Sequence, residues 1–248
     1  MSDEFPSPGR MSLITYHSSL ITYHSSLITY HSSLIMKITC KTTLLPAVPF
    51  VGTRIRVRIP HGPDAPMAFS IYNATASGGS EIDWGDGTVE PFTRLNRTVH
   101  NYASPGLYEV RIKEGVTTLV MVYRAYDYDT LYAPAIISFC SNDPQLVTLG
   151  GWSFLGARNM IGLDMSESKV NALNSGIFKN CTSLSGEFYF PCVKNMIATL
   201  GDLPFEGCTG GITKIHFAEA NKAAILATGI LDLDPTLGSG TAEVVFDL

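Results

Sequence analysis

Between residues 149 and 208 the chain repeats a template that restricts its fold more than any other feature. "LGGWSFLGA" (149–157), "LNSGIFKNC" (173–181) and "LGDLPFEGC" (200–208) share the pattern L-x4-F-x2-[A/C], with Phe154, Phe178 and Phe205 spaced 24 and then 27 residues apart. A short alternating strand follows each copy: "GLDM" (162–165), "EFYF" (187–190) and "KIHF" (214–217). "IISF" (136–139) and "EVVF" (243–246) extend the series at both ends. A unit this short cannot bury its apolar edge alone, so strands recurring at 25 to 29 residues predict coils stacked on one another in a solenoid.

Within those strands Phe188, Phe190, Ile215 and Phe217 are expected to point inward, which turns their neighbours outward. Two exposed columns result: Gly162, Glu187, Lys214, Glu243, and Asp164, Tyr189, His216, Val245. The first alternates in charge and reads as a solvated ladder. The second sets an aromatic ring, an imidazole and a carboxylate on a rigid surface, a composition suited to polar recognition with an aromatic anchor. Asp164, Tyr189 and His216 are therefore candidate binding residues. A sheet's outer face with no partner at all is the competing reading.

Upstream the pattern is strict alternation. In "RIRVRIP", Ile55, Val57 and Ile59 face one way and Arg54, Arg56 and Arg58 the other, the mark of a half-buried strand. "MAFSIYN" repeats it with Phe69 and Ile71, and "EIDWGDGTVE" brings Ile82 and Trp84 to one face before a turn at Gly85-Asp86-Gly87. Tyr108, Val110 and Ile112 alternate after the Pro105-Gly106 turn. Short strands separated by turn residues predict an antiparallel sandwich.

"DWGDGT" followed by "HNYASPGLYEVRI" resembles the polycystic-kidney-disease (PKD) type of Ig-like domain over Ile82 to Ile112. The resemblance implies a structural motif: Trp84 in the core, Gly85 and Gly87 permitting the tight backbone, and Asp83, Asp86 and Thr88 bonding to turn amides. Some relatives bind calcium, but the further oxygen ligands this needs are not identifiable here. The second half resembles the leucine-rich repeats of bacterial surface proteins, the BspA-like type, best at "IFKNCTSL" (177–184). Ala157 replaces the cysteine in the first copy, and Gly210-Gly211 is inserted after the third. The fold expected is mainly β, a PKD/Ig-like antiparallel β-sandwich over 36–118 followed by a short leucine-rich-repeat solenoid over 119–248.

Five cysteines (Cys40, Cys140, Cys181, Cys192, Cys208) include no C-x-x-C pair, which disfavours a zinc ribbon or redox site. Cys181 and Cys208 hold the position that alanine fills in the first copy, so smallness is the requirement and buried free thiols are expected. No nucleophile elbow, phosphate loop or metalloprotease helix is present, and two carboxylates on one tight turn are not the facing pair that acid–base hydrolysis uses. No catalytic residue, metal or cofactor is expected. A net charge of −5 gives no reason to expect nucleic acid, and no apolar run approaches a membrane span. The cluster "VYRAYDYDTLY" (122–132) offers Tyr126 and Tyr128 either for stacking on a glycan or protein or for packing where the two halves meet; the latter is favoured.

Residues 12–35 carry three undrifted copies of "SLITYHS" and the start of a fourth. They read as a duplicated stretch translated upstream of Met36, unordered and outside the fold over 1–35. Deleting them is expected to leave the melting temperature unchanged, which calorimetry of the shortened chain checks. The functional expectation is a non-enzymatic binding module of a bacterial surface-type or phage-derived protein, with a protein or glycan partner. A structural spacer or particle component, and an accessory module of a secreted hydrolase, are the alternatives. Family resemblance suggests the extracellular space or cell surface, although no signal peptide is seen in the chain.

Overall fold

The computed structural model describes residues 50–61, 67–122, 132–199, 201–237 and 242–248. The heptad copies, Cys40, and Tyr126 and Tyr128 lie outside the described residues. Thr43–Leu248 form one compact unit, mainly β, around a curled mixed sheet.

The alternating segments lie in β1 (Gly52–Ile59), β2 (Ala68–Asp83) and β4 (Gly106–Lys113), with "MAFSIYN" and "EIDW" merged into the single strand β2, while β3 (Val89–Asn101) and β5 (Val116–Val120) are strands the alternation did not predict. Ile55, Val57 and Ile59 of β1 are buried with Phe69, Ile71 and Ile82 of β2 and Val110 and Ile112 of β4. β1 runs antiparallel to β4 with Val57 opposite Tyr108. β2 is long enough to bend: its register shifts between Thr75 and Ser80. It pairs with β5 before the shift and with β4 after it. A groove of about 650 Å³ opens at this bulge, lined in part by Ser80, Glu81, Phe92 and Lys113.

From here the sheet takes in strands from beyond residue 132. β6 (Ile136–Ser141) lies antiparallel to β1, and β8 (Gly162–Asp164) lies parallel to β6. On the opposite edge β7 (Thr148–Leu149) lies parallel to β5. The resulting order is β7-β5-β2-β4-β1-β6-β8, with β3 on β2. The boundary expected at residue 118 thus falls inside β5, and strands from both sides of it share one sheet.

Beyond β7 and β8 the chain lays successive turns parallel to each other. β9 (Ala172–Leu173) pairs with β11 (Asn195–Met196). β10 (Gly186–Phe190), β12 (Ile212–Phe217) and β13 (Glu243–Phe246) form a three-stranded parallel sheet. Between these ladders the template segments bond main chain to main chain: Phe154 N–H donates to the Ile177 carbonyl, and Phe178 N–H to the Pro204 carbonyl, both at 2.9 Å. The template phenylalanines stack, Phe154 on Phe178 at 5.3 Å and Phe178 on Phe205 at 5.1 Å between centroids. Phe139 meets Phe154 edge-on at 5.0 Å, joining this stack to β6.

The cysteine positions acquire a specific reason. Cys181 Sγ donates to the Phe154 carbonyl at 3.1 Å, and Cys208 Sγ to the Phe178 carbonyl at 3.0 Å. Each thiol therefore ties its own buried turn to the one before. Burial, then the neighbouring Cys208 thiol, pushes the Cys181 thiol well up, keeping it a neutral donor rather than a reactive thiolate. Cys140, Cys181, Cys192 and Cys208 are all unbridged.

Candidate functional site

Two side-chain constellations stand out. The first is the Asp83–Thr88 turn. Asp83 Oδ1 accepts the Gly85 amide at 2.8 Å and Asp86 Oδ1 the Thr88 amide at 3.0 Å. Trp84 N–H donates to the Thr88 carbonyl at 3.0 Å, closing the loop. Gly85 has φ +84°, and a Cβ there would lie 2.7 Å from the Glu109 carbonyl oxygen, so both conformation and space require glycine. Gly87 has φ +96° with open space around it.

The aromatic side chains bury this turn's inner side. Trp84 is fully buried and stacks on His100 with 4.7 Å between centroids. Tyr102 lies edge-on to His100 and donates its hydroxyl to the Trp84 carbonyl at 3.0 Å. His100 Nε2 is 2.8 Å from Asp86 Oδ2. Both carboxylates are thus engaged by the turn or by β3. Among the described residues no group of three or more His, Cys, Asp or Glu is placed to hold a metal.

Burial pushes the Asp86 carboxyl up, but the hydrogen bonds from His100 and Thr88 outweigh it and hold it below the ordinary carboxylate range. A carboxyl depressed in the folded state adds stability above its unfolded value and loses it as pH falls through the folded one. Asp86→Asn is therefore expected to destabilise by about 1 kcal/mol near neutrality, at the low end for a charged hydrogen bond because the pair is partly solvated. The difference should vanish as pH falls below the carboxylate range, read from urea midpoints of both chains across pH.

The second constellation lies on the outer face of the three-stranded sheet. β10 and β12 pair Glu187 with Lys214 and Tyr189 with His216. β12 and β13 pair Lys214 with Glu243 and His216 with Val245. Both expected columns therefore form across these strands, but neither reaches β8. Gly162 and Asp164 stay in the eight-stranded sheet, and Asp164 Oδ1 accepts the Ser166 amide and hydroxyl at 3.1 and 2.7 Å. The Asp164 carboxylate closes a local turn instead of joining Tyr189 and His216.

Exposure on this face also departs from the expected pattern. His216 is only 7% exposed, whereas Tyr189 is 38% exposed. The Tyr189 ring covers the imidazole, stacked at 4.3 Å and 10°, and Asp247 Oδ1 lies 2.8 Å from Nδ1. Sequence reading missed Asp247, which follows β13 and reaches His216 only because the third turn stacks beside the second. Tyr132 is half-buried against the core; Tyr126 and Tyr128 lie outside the described residues.

No protein-family model matches the chain, and no curated protein or solved structure matches it either. Among the described residues no helix is long and apolar enough to cross a membrane.

Proposed function

We propose that the chain is a non-enzymatic interaction module, an Ig-like sandwich of the PKD type continued by a short leucine-rich-repeat solenoid of the BspA-like type. It belongs with surface-type proteins of bacterial or phage origin. The observation that carries this reading is the Tyr189–His216 face: a stacked pair on paired strands, ringed by Glu187, Lys214, Glu243 and Asp247. Rigid strands present an aromatic anchor with charged neighbours at little entropic cost, which suits recognition of a protein or glycan. The Asp83–Thr88 turn is read as structural, because its polar groups are satisfied by its own amides and by His100.

The test is a protein and glycan array probed with the full chain and with the Tyr189→Ala/His216→Ala double variant. A partner held by the first and lost by the second supports the reading; absence of any saturable partner removes it. A structural spacer is the second reading, favoured by the three-stranded sheet ending at β13. A defined oligomer in analytical ultracentrifugation, broken by Val245→Lys, would favour that role.

A further inference from the structure

The outward side chains divide by charge along the series of strands. β1 and β4 set Arg54 opposite Arg111, Arg56 opposite Glu109 and Arg58 opposite Leu107. The Glu109 carboxylate serves two of these arginines, 3.2 Å from Arg56 Nε and 2.9 Å from Arg111 Nε. Asp83 on β2 faces Arg111, and Lys113 is offset by Glu81 at 3.6 Å. Four arginines against two carboxylates make this end of the face cationic. Like charges set directly opposite, as Arg54 and Arg111 are, cost stability, a local cost of the kind that functional surfaces carry.

The sign reverses at the other end of the same side. β1 leads through β6 to β8, β8 lies beside β10, and β12 and β13 complete the series. Phe139 of β6 and Phe188 and Phe190 of β10 share one core, so the residues alternating with them share the outer side. There the Glu187, Glu243 and Asp247 side chains are 49%, 65% and 48% exposed, with Lys214 paired to Glu243 at 3.2 Å. Three carboxylates against one lysine make this end anionic. Between the two ends the outward positions are small, Ser138 beside Gly162, and the Asp164 carboxylate is turned to Ser166.

A face that is cationic at one end and anionic at the other is complementary to a copy of itself turned about a two-fold axis. The small residues of β6 and β8 lie where that axis passes and let the two backbones approach. Seven strands at about 4.8 Å spacing span roughly 30 Å, the scale of a standard interface of about 800 Å² per partner. We infer that this face pairs two copies of the chain, the exposed Arg58 and Arg111 of each meeting Glu187, Glu243 and Asp247 of the other. The inference rests on the interaction-module reading of the Tyr189–His216 face and names a second copy as its protein partner. Guanidinium suits carboxylates because its planar fork donates two parallel hydrogen bonds. A partner of one sign is repelled by one end or the other, so the face selects against it. Each chain carries a net charge of −5, so the whole-molecule field opposes pairing and the contact charges supply the attraction.

Analytical ultracentrifugation of the full chain over a concentration series is the test. A monomer–dimer equilibrium is expected at about 0.1 M salt, shifting to monomer at about 1 M as the Debye length falls from about 10 Å to about 3 Å. Arg58→Glu/Arg111→Glu and Glu243→Lys/Asp247→Lys should each weaken dimerisation about a hundredfold, because the two-fold repeats every lost charge-assisted contact. Mixed in equal amounts, the two variants should form a heterodimer, since reversed ends then meet reversed ends and native ends meet native ends. An unchanged melting temperature shows that each variant folds. The milder Arg58→Gln and Glu243→Gln, which reverse no charge, should each weaken dimerisation about tenfold. Association that strengthens with salt, that is indifferent to these milder changes, or that is not restored by mixing folded variants overturns the inference. If the unsubstituted chain stays monomeric while the arrays yield a partner lost with Tyr189→Ala/His216→Ala, the interaction module stands and the pairing does not. With neither a dimer nor an array partner, both are wrong.

Discussion

Trp84→Ala is expected to destabilise the protein by about 3–5 kcal/mol, the cost of removing a large aromatic side chain from a packed core. The indole is fully buried and backs the imidazole of His100 at 4.7 Å. That imidazole in turn meets Tyr102, whose hydroxyl donates to the Trp84 carbonyl. Deleting the ring leaves a cavity under both. Burial pushes the Tyr102 hydroxyl well up, so it stays a neutral donor and cannot compensate by ionising. Trp84→Phe should recover much of the loss, because the buried Nε1–H has no hydrogen-bond partner among the described residues. Urea unfolding measures both. A near-neutral Trp84→Ala that abolishes partner binding would instead make the turn a functional site.

Phe178→Ala is expected to cost a similar amount, about 3–5 kcal/mol, because Phe178 is the middle ring of the Phe154–Phe178–Phe205 stack. It stacks between Phe154 and Phe205 and approaches Phe190 at 6.3 Å. Neither neighbouring turn can close the gap without breaking main-chain bonds at both Ile177 and Pro204. Phe246, half-buried on the last strand, should cost less when truncated, since it touches Phe217 on one side. The two tryptophans, Trp84 and Trp152, lie on opposite sides of residue 118 and allow a sharper measurement. β1 pairs with β6 and β5 with β7, so single-tryptophan chains carrying Phe178→Ala should report one shared transition. Two separate transitions would show that the parts unfold independently despite the common sheet.

The strands were legible because alternation in "RIRVRIP" or "EFYF" is a local property, set by the two-residue period of an extended chain. The same holds for the Asp83–Thr88 turn, whose bonds join residues only two apart. The spacing of Phe154, Phe178 and Phe205 was legible as a period, and the rings do stack. What the period does not contain is the partner of the first coil. β6 was expected to start a separate series; it does pair with the next strand of that series, β8, but its other edge pairs with β1, some eighty residues earlier. Strand pairing is decided by which edges the whole sheet leaves open, and no window of sequence carries that.

The candidate face divides the same way. The sequence determined that Tyr189 and His216 occupy equivalent places in successive strands, because inward Phe188, Phe190, Ile215 and Phe217 leave their neighbours no other side. Tertiary structure alone decided that the rings stack and that His216 is buried under Tyr189. It also decided that Asp247 takes one imidazole nitrogen while the other faces Glu187, and that Asp164 turns away to Ser166. These are contacts between side chains up to 31 residues apart. Their geometry follows from how closely three turns of chain stack, which is fixed by the buried phenylalanines and not by the outward residues themselves.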